Sequence, residues 1–155
     1  MINFEQRIEE LGIDIPEAPK AGANYAPFVT TGNLVFISGQ APFVNGELPY
    51  QGKVGTDVSF DRAQEAAKVC ALNMLSILRQ ACGGDLNRVE KFVKLGSFVY
   101  SADDFHLHHK VTDGATDLLV DIFGNSGLPA RFAVGMSVMP LKMTVEIDAV
   151  VEIKP

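Results

Sequence analysis

The run from Ser59 to Gly84 constrains this chain more than any other segment. Ala63, Ala66, Ala67, Cys70, Ala71, Met74, Ile77, Leu78 and Ala81 recur at helical period, which draws one apolar stripe along a helix of about six turns. Ser59 is a candidate N-cap and Gly83-Gly84 a stop. A long helix with a single apolar side must lay that side on a partner. The C-terminal stretch supplies one. Met143, Val145, Ile147, Ala149, Val151 and Ile153 alternate with Thr144, Glu146, Asp148, Val150 and Glu152, the period of a strand with one buried face.

The remaining elements fall around this pair. Phe4, Ile8 and Leu11 predict a short amphipathic helix ended by Gly12, and the Pro- and Gly-bearing segment after it predicts an extended arm, so that residues 1–24 are helix plus arm. Leu34 to Ser38 reads as a buried strand. Residues 41–58, with Pro42, Gly46, Pro49, Gly52 and Gly55, read as a long irregular segment. Val89 to Tyr100 predicts a second strand, bulged or narrowed at Gly96. Phe105 to Phe123 predicts a second main helix, with Leu118, Leu119, Ile122 and Phe123 inward. Arg131 to Met139 and Met143 to Ile153 predict two strands joined by a tight turn at Pro140-Leu141-Lys142. The expected architecture is a single α+β domain over residues 1–155. Two main helices pack on one face of a mostly antiparallel sheet, and Glu146, Asp148 and Glu152 lie on the other face.

Composition narrows the function classes. The chain has 155 residues, 47% apolar and 21% charged, which suffices for a core. Thirteen Lys and Arg against 19 Asp and Glu give a net charge of −6, which argues against an electrostatic grip on nucleic acid. The first residues carry Glu5, Arg7, Glu9 and Glu10 and have no apolar signal-type run. No apolar stretch nears the roughly 18 residues of a membrane span. Cys70 and Cys82 sit on one predicted helix about 18 Å apart, beyond the ~7 Å reach of a disulfide. Reduced thiols suit a cytoplasmic protein.

Familiar catalytic motifs are absent. Gly46 to Gly52 followed by Lys53 imitates a phosphate loop with one residue too many, and Val54 replaces the Ser or Thr that magnesium needs. His106, His108 and His109 are spaced too closely to converge on one metal, so no metal site is expected. By residue type alone, Ser38 reads as a strand-end serine satisfying backbone groups. Glu146 reads as a solvated carboxylate and Arg131 as a surface cation.

An ordered set of segments changes those readings. Tyr25, then Gly32-Asn33-Leu34-Val35-Phe36-Ile37-Ser38-Gly39-Gln40, then Pro129-Ala130-Arg131, then Val145-Glu146-Ile147 resemble the reactive intermediate deaminase (Rid, or YjgF) family in order and spacing. The resemblance runs from about Tyr25 to Ile153. The length, the N-terminal helix, the Gly-Lys-Val-Gly stretch at 52–55 and Asp113-Gly114-Ala115 resemble a longer branch of it. The resemblance implies a chorismate-mutase-like fold and a homotrimer with clefts between subunits. It also implies hydrolysis of 2-imino or enamine acids to 2-keto acids and ammonia, without metal or organic cofactor.

The resemblance gives Arg131 the substrate carboxylate and Glu146 the protons of the attacking water, with Tyr25 and Ser38 beside them. Gly39 and the backbone near Ala133 would contact substrate or water. Either Asp113 or His109 could stand for the cleft residue of the second helix. These residue types suit the chemistry. A guanidinium holds a planar carboxylate with two charge-assisted hydrogen bonds, and an electrophilic C=N carbon needs mainly orientation and proton management.

If Leu141-Lys142 is a hairpin turn, Glu146 lies opposite Ser137, roughly 20 Å along the strand from Arg131. The two would then meet only from neighbouring chains. Two other classes stay open: a trimer that binds a small carboxylate without turnover, and an RNA-cleaving protein. Net charge and the lack of a histidine pair in basic surroundings speak against the last.

Overall fold

The computed structural model describes residues 1–155. Its elements run α1 (Phe4–Glu10), β1 (Phe28–Thr31), β2 (Leu34–Gln40), α2 (Phe60–Ala81), β3 (Val89–Tyr100), α3 (His108–Phe123), β4 (Ala130–Met136) and β5 (Val145–Ile153), with short 3-10 turns between. The five strands form one sheet in the order β1-β2-β5-β3-β4. Three neighbouring pairs are antiparallel, while β3 and β4 are parallel. This is the expected α+β, chorismate-mutase-like arrangement.

The α2 helix begins where Ser59 accepts a hydrogen bond from the Arg62 N–H at 3.2 Å and ends at Cys82 before Gly83 and Gly84, both at positive φ. Its stripe packs on β5, whose Val145, Ile147, Ala149, Val151 and Ile153 are all buried. Gly114 lets α3 press against α2, since a Cβ there would run into the Gln64 carbonyl. The arm after α1 lies along this body through Ile13, Ile15 and Ala18. Cys70 and Cys82 are free and buried, and burial pushes both thiols up. No helix is long and apolar enough to cross a membrane.

The expected hairpin between the last two strands does not form, and Glu146 faces Phe98 of β3 instead of Ser137. The reason lies in what occupies the backbone after Lys142. Leu141 and Lys142 turn the chain at positive φ. Residues 50–52 then take up the groups that a hairpin would have used. The Gly52 N–H donates to the Lys142 carbonyl at 2.9 Å and the Thr144 N–H to Tyr50 at 3.1 Å. Past that clip β5 runs between β2 and β3, where its inward residues can all be covered, and β4 is left as an edge strand.

Smaller differences follow from local competition. The strand expected from Arg131 ends at Met136, and the second helix starts at His108, with residues 101–107 forming a loop. The register shifts in β3 fall between Val89 and Lys91 and between Phe92 and Lys94, not at Gly96. Gly96 serves a different end: its missing Cβ admits the Asp148 carboxylate, which accepts the Gly96 N–H at 3.1 Å. The exposed strand β1 pairs with β2 and carries no alternating signal.

Candidate functional site

The expected site residues assemble in two groups. Between Ile37 and Gln40 the register of β2 against β5 shifts, so three steps on β2 oppose two on β5. Such a bulge re-aims the residues within it, here Ser38 and Gly39. Ser38 Oγ donates to the Ala26 carbonyl at 2.6 Å, and its N–H donates to Pro27 at 3.0 Å. Ser38 therefore ties the arm to the strand. Gly39 lies directly beside Glu146, and a Cβ at position 39 would meet that carboxyl group.

Around this point is a cavity of about 470 Å³ whose walls include Tyr25, Gly39, Glu146, Phe43, Met143 and Lys20. Buried Asn73 on α2 shapes one wall by donating to the carbonyls of Ala41 (2.9 Å) and Phe43 (3.0 Å). The Tyr25 hydroxyl accepts the Gly22 N–H at 3.3 Å and closes a turn of the arm. Glu146 is half-buried. Desolvation raises its pKa above the ordinary carboxylate value, and the Asp148 charge adds to the rise. A carboxyl group raised in this way is better placed to exchange a proton near neutrality.

Arg131 belongs to the second group. It projects from β4 toward α3, where Nη1 meets Asp113 Oδ1 at 3.0 Å and Thr116 Oγ1 at 2.9 Å, and Nη2 donates to the His109 carbonyl at 2.8 Å. Two of its five N–H groups donate hydrogen bonds, and the Asp113 carboxylate stands at ion-pair distance beside them. Asp113 also stands 3.6 Å from Lys110. Of the two candidates on the second helix, Asp113 contributes a side chain to Arg131 and His109 a backbone carbonyl. Ala133 lies two residues along β4 on the same side, paired with buried Ser97.

The two groups do not meet within one chain. Glu146 pairs with Phe98 and Arg131 with Leu95, so β3 stands between their strands. Two strand spacings and three residues of offset put the Cα atoms about 14 Å apart. Their side chains also point to opposite faces, since Glu146 alternates with buried Val145 and Ile147 while Arg131 reaches the α3 side. The roughly 20 Å expected from a hairpin register is replaced by this shorter separation, set by the intervening strand and the opposite faces.

Sequence reasoning missed Lys20 and Thr116. Lys20 sits in an arm without periodicity, and Thr116 is recognisable only once α3 is laid beside β4. On the face away from the helices, Val29, Phe36, Phe132 and Val134 are 57%, 45%, 39% and 41% exposed. They form an apolar surface around Glu146 and Asp148.

Comparison with known proteins agrees with this architecture. Residues 5–153 match the family described as "YjgF/chorismate_mutase-like, putative endoribonuclease". The chain is 38% identical to Protein TCP17 of Trypanosoma cruzi, over 94% of this chain and 91% of that one. It is 30% identical to a 2-iminobutanoate/2-iminopropanoate deaminase of Dermatophagoides farinae, over 92% and 95% of the respective chains. The crystal structure of Atu1372 from Agrobacterium tumefaciens superposes with a TM-score of 0.90 at 43% identity, covering 97% of this chain and 92% of that one. Matched along almost its whole length in sequence and in fold, the chain belongs to the YjgF/RutC/Rid family.

Proposed function

We propose that this protein hydrolyses small 2-imino or enamine acids to 2-keto acids and ammonia in a cleft shared by neighbouring chains of a homotrimer. The observation that carries the reading is the half-buried Glu146 carboxyl, raised by desolvation, inside a cavity with Tyr25 and Gly39. The relative from Dermatophagoides farinae, named a 2-iminobutanoate/2-iminopropanoate deaminase, supports the reaction class. The exposed apolar residues on the helix-free face support assembly, because contiguous patches of that kind mark interaction surfaces.

The steps follow from the side chains. The N–H groups of Arg131 that make no hydrogen bond within the chain receive the substrate carboxylate, brought up by a second chain. Glu146 takes a proton from the water that attacks the C=N carbon. It then returns that proton to the nitrogen, takes up the proton of the new hydroxyl as the C=O forms and the C–N bond breaks, and passes it on to the departing ammonia, which leaves as ammonium. Tyr25 and Ser38 hold the arm that forms the cavity wall, Gly39 leaves the carboxyl room, and the Ala133 backbone borders the Arg131 side. No metal or organic cofactor enters these steps.

A second reading, binding of a small carboxylate without turnover, is favoured by the placement of Arg131 apart from Glu146 within one chain, since a guanidinium can hold an anion without the proton-managing carboxyl group. One assay separates the two. An amino-acid oxidase generates the imine in situ, and keto acid release is followed with wild type, Arg131→Ala and Glu146→Gln. Accelerated release that either substitution abolishes supports the deaminase. Binding of 2-oxobutanoate with no acceleration supports the binding protein.

A further inference from the structure

Apart from both groups, the loop 101–107 folds the end of β3 against the start of α3. There Ser101 Oγ and His108 Nε2 stand 2.8 Å apart. Both line a recess of about 310 Å³ together with Asp103, His106 and Met136. We propose that Ser101 is a nucleophile and His108 its general base, forming a second site that acts on small acyl esters.

Several features support that assignment. With its ring proton on Nδ1, His108 accepts the Ser101 O–H at Nε2, the arrangement that makes a serine nucleophilic. Burial, followed by the neighbouring charges of His106 and His109, lowers the His108 pKa, which favours the neutral imidazole that a base requires. The ring is held in place: Phe105 stands edge-on to it at 5.2 Å and 90°. Residue 135 is glycine where any Cβ would come 2.5 Å from Nε2 and 2.8 Å from Ser101 Oγ, so a larger residue would crowd the pair.

The reaction balances with these groups alone. Ser101 Oγ attacks the ester carbonyl carbon while its proton passes to His108 Nε2. The C–O bond to the alcohol breaks, and that proton leaves with the alcohol. Water, deprotonated in turn by Nε2, then attacks the acyl group, releases the acid and returns the proton to Oγ. Asp103 on the wall disfavours anionic esters, so the class is neutral or cationic esters of short acids.

The test uses the purified full-length chain and a fluorophosphonate probe, in which Ser101 Oγ would form a P–O bond as fluoride leaves. One adduct per chain on Ser101 is expected, absent in Ser101→Ala and slowed about 10²-fold in His108→Gln. With p-nitrophenyl acetate, wild type should release a burst of nitrophenolate that Ser101→Ala lacks. A wild-type chain left unlabelled at Ser101, labelling confined to other residues, or undiminished labelling in His108→Gln overturns the proposal. The pair would then be only a tie between β3 and α3. Because the readout is a covalent adduct, it is independent of imine hydrolysis.

Discussion

Gly39→Ala tests the cavity with a single methyl group. The added Cβ would lie 2.9 Å from Glu146 Cδ and 3.2 Å from Cγ, and closer still to Oε1. Ordinary contact needs about 3.5–4.0 Å, so the carboxyl group must retreat by roughly 1 Å. The obstructing atoms are the far end of a flexible side chain. The stability cost therefore falls at the low end for overpacking, about 1 kcal/mol, which lowers Tm by about 2–4 °C at this chain length. Catalysis suffers more, since a displacement of ~1 Å of a reacting group can cost about 10²-fold.

Thermal unfolding by circular dichroism and the coupled keto acid assay measure the two effects. The double variant Gly39→Ala/Glu146→Asp separates them. The shorter acid clears the methyl group, so the stability cost of Gly39→Ala should largely disappear in that background, while activity stays low. A folded Gly39→Ala protein with wild-type turnover would refute the reasoning. So would a stability loss that persists undiminished in the Glu146→Asp background.

Three further outcomes follow from the same geometry. Gly114→Ala should destabilise by about 2 kcal/mol in urea titration, because the clash with the Gln64 carbonyl outweighs the ~1 kcal/mol helix preference of alanine. Glu146 binds its proton more readily folded than unfolded. It therefore costs nothing at pH values below the ordinary carboxylate range and costs most above its raised folded pKa. Glu146→Gln should accordingly stabilise the fold in urea titration at neutral pH, by under about 1 kcal/mol given the group's partial exposure, and leave stability unchanged at acid pH. Asp113→Asn removes the anion beside Arg131. Calorimetry should show 2-oxobutanoate bound about fivefold more tightly, equivalent to roughly 1 kcal/mol.

What could be read from the sequence is what local chemistry decides. The α2 helix is written in its cap, its stripe and its glycine stop, and β5 in the strict alternation of its buried residues. The order of the strands is not local. Whether β5 turns back onto β4 depends on residues 50–52, almost a hundred positions earlier, claiming the backbone after Lys142. No periodicity announces that competition.

The candidate site divides along the same line. Tyr25, Gly39 and Glu146 line one cavity, and only the structure shows that a bulge at Ser38-Gly39 makes the room. That Asp113 and Thr116 hold Arg131 follows from the docking of α3 on β4, and so does the facing of Ser101 by His108 across a loop. Residues that meet only through tertiary packing carry no mark in the order of the chain.

The central claim, that Arg131 of one chain completes the Glu146 cavity of another, has a direct measurement. Arg131→Ala and Glu146→Gln proteins, each inactive, are mixed, unfolded and refolded together, and keto acid release is measured. In random mixed trimers about a quarter of the interfaces pair an intact Arg131 with an intact Glu146, so about a quarter of wild-type activity should return. Mixtures that refold as well as wild type and stay inactive would contradict the account.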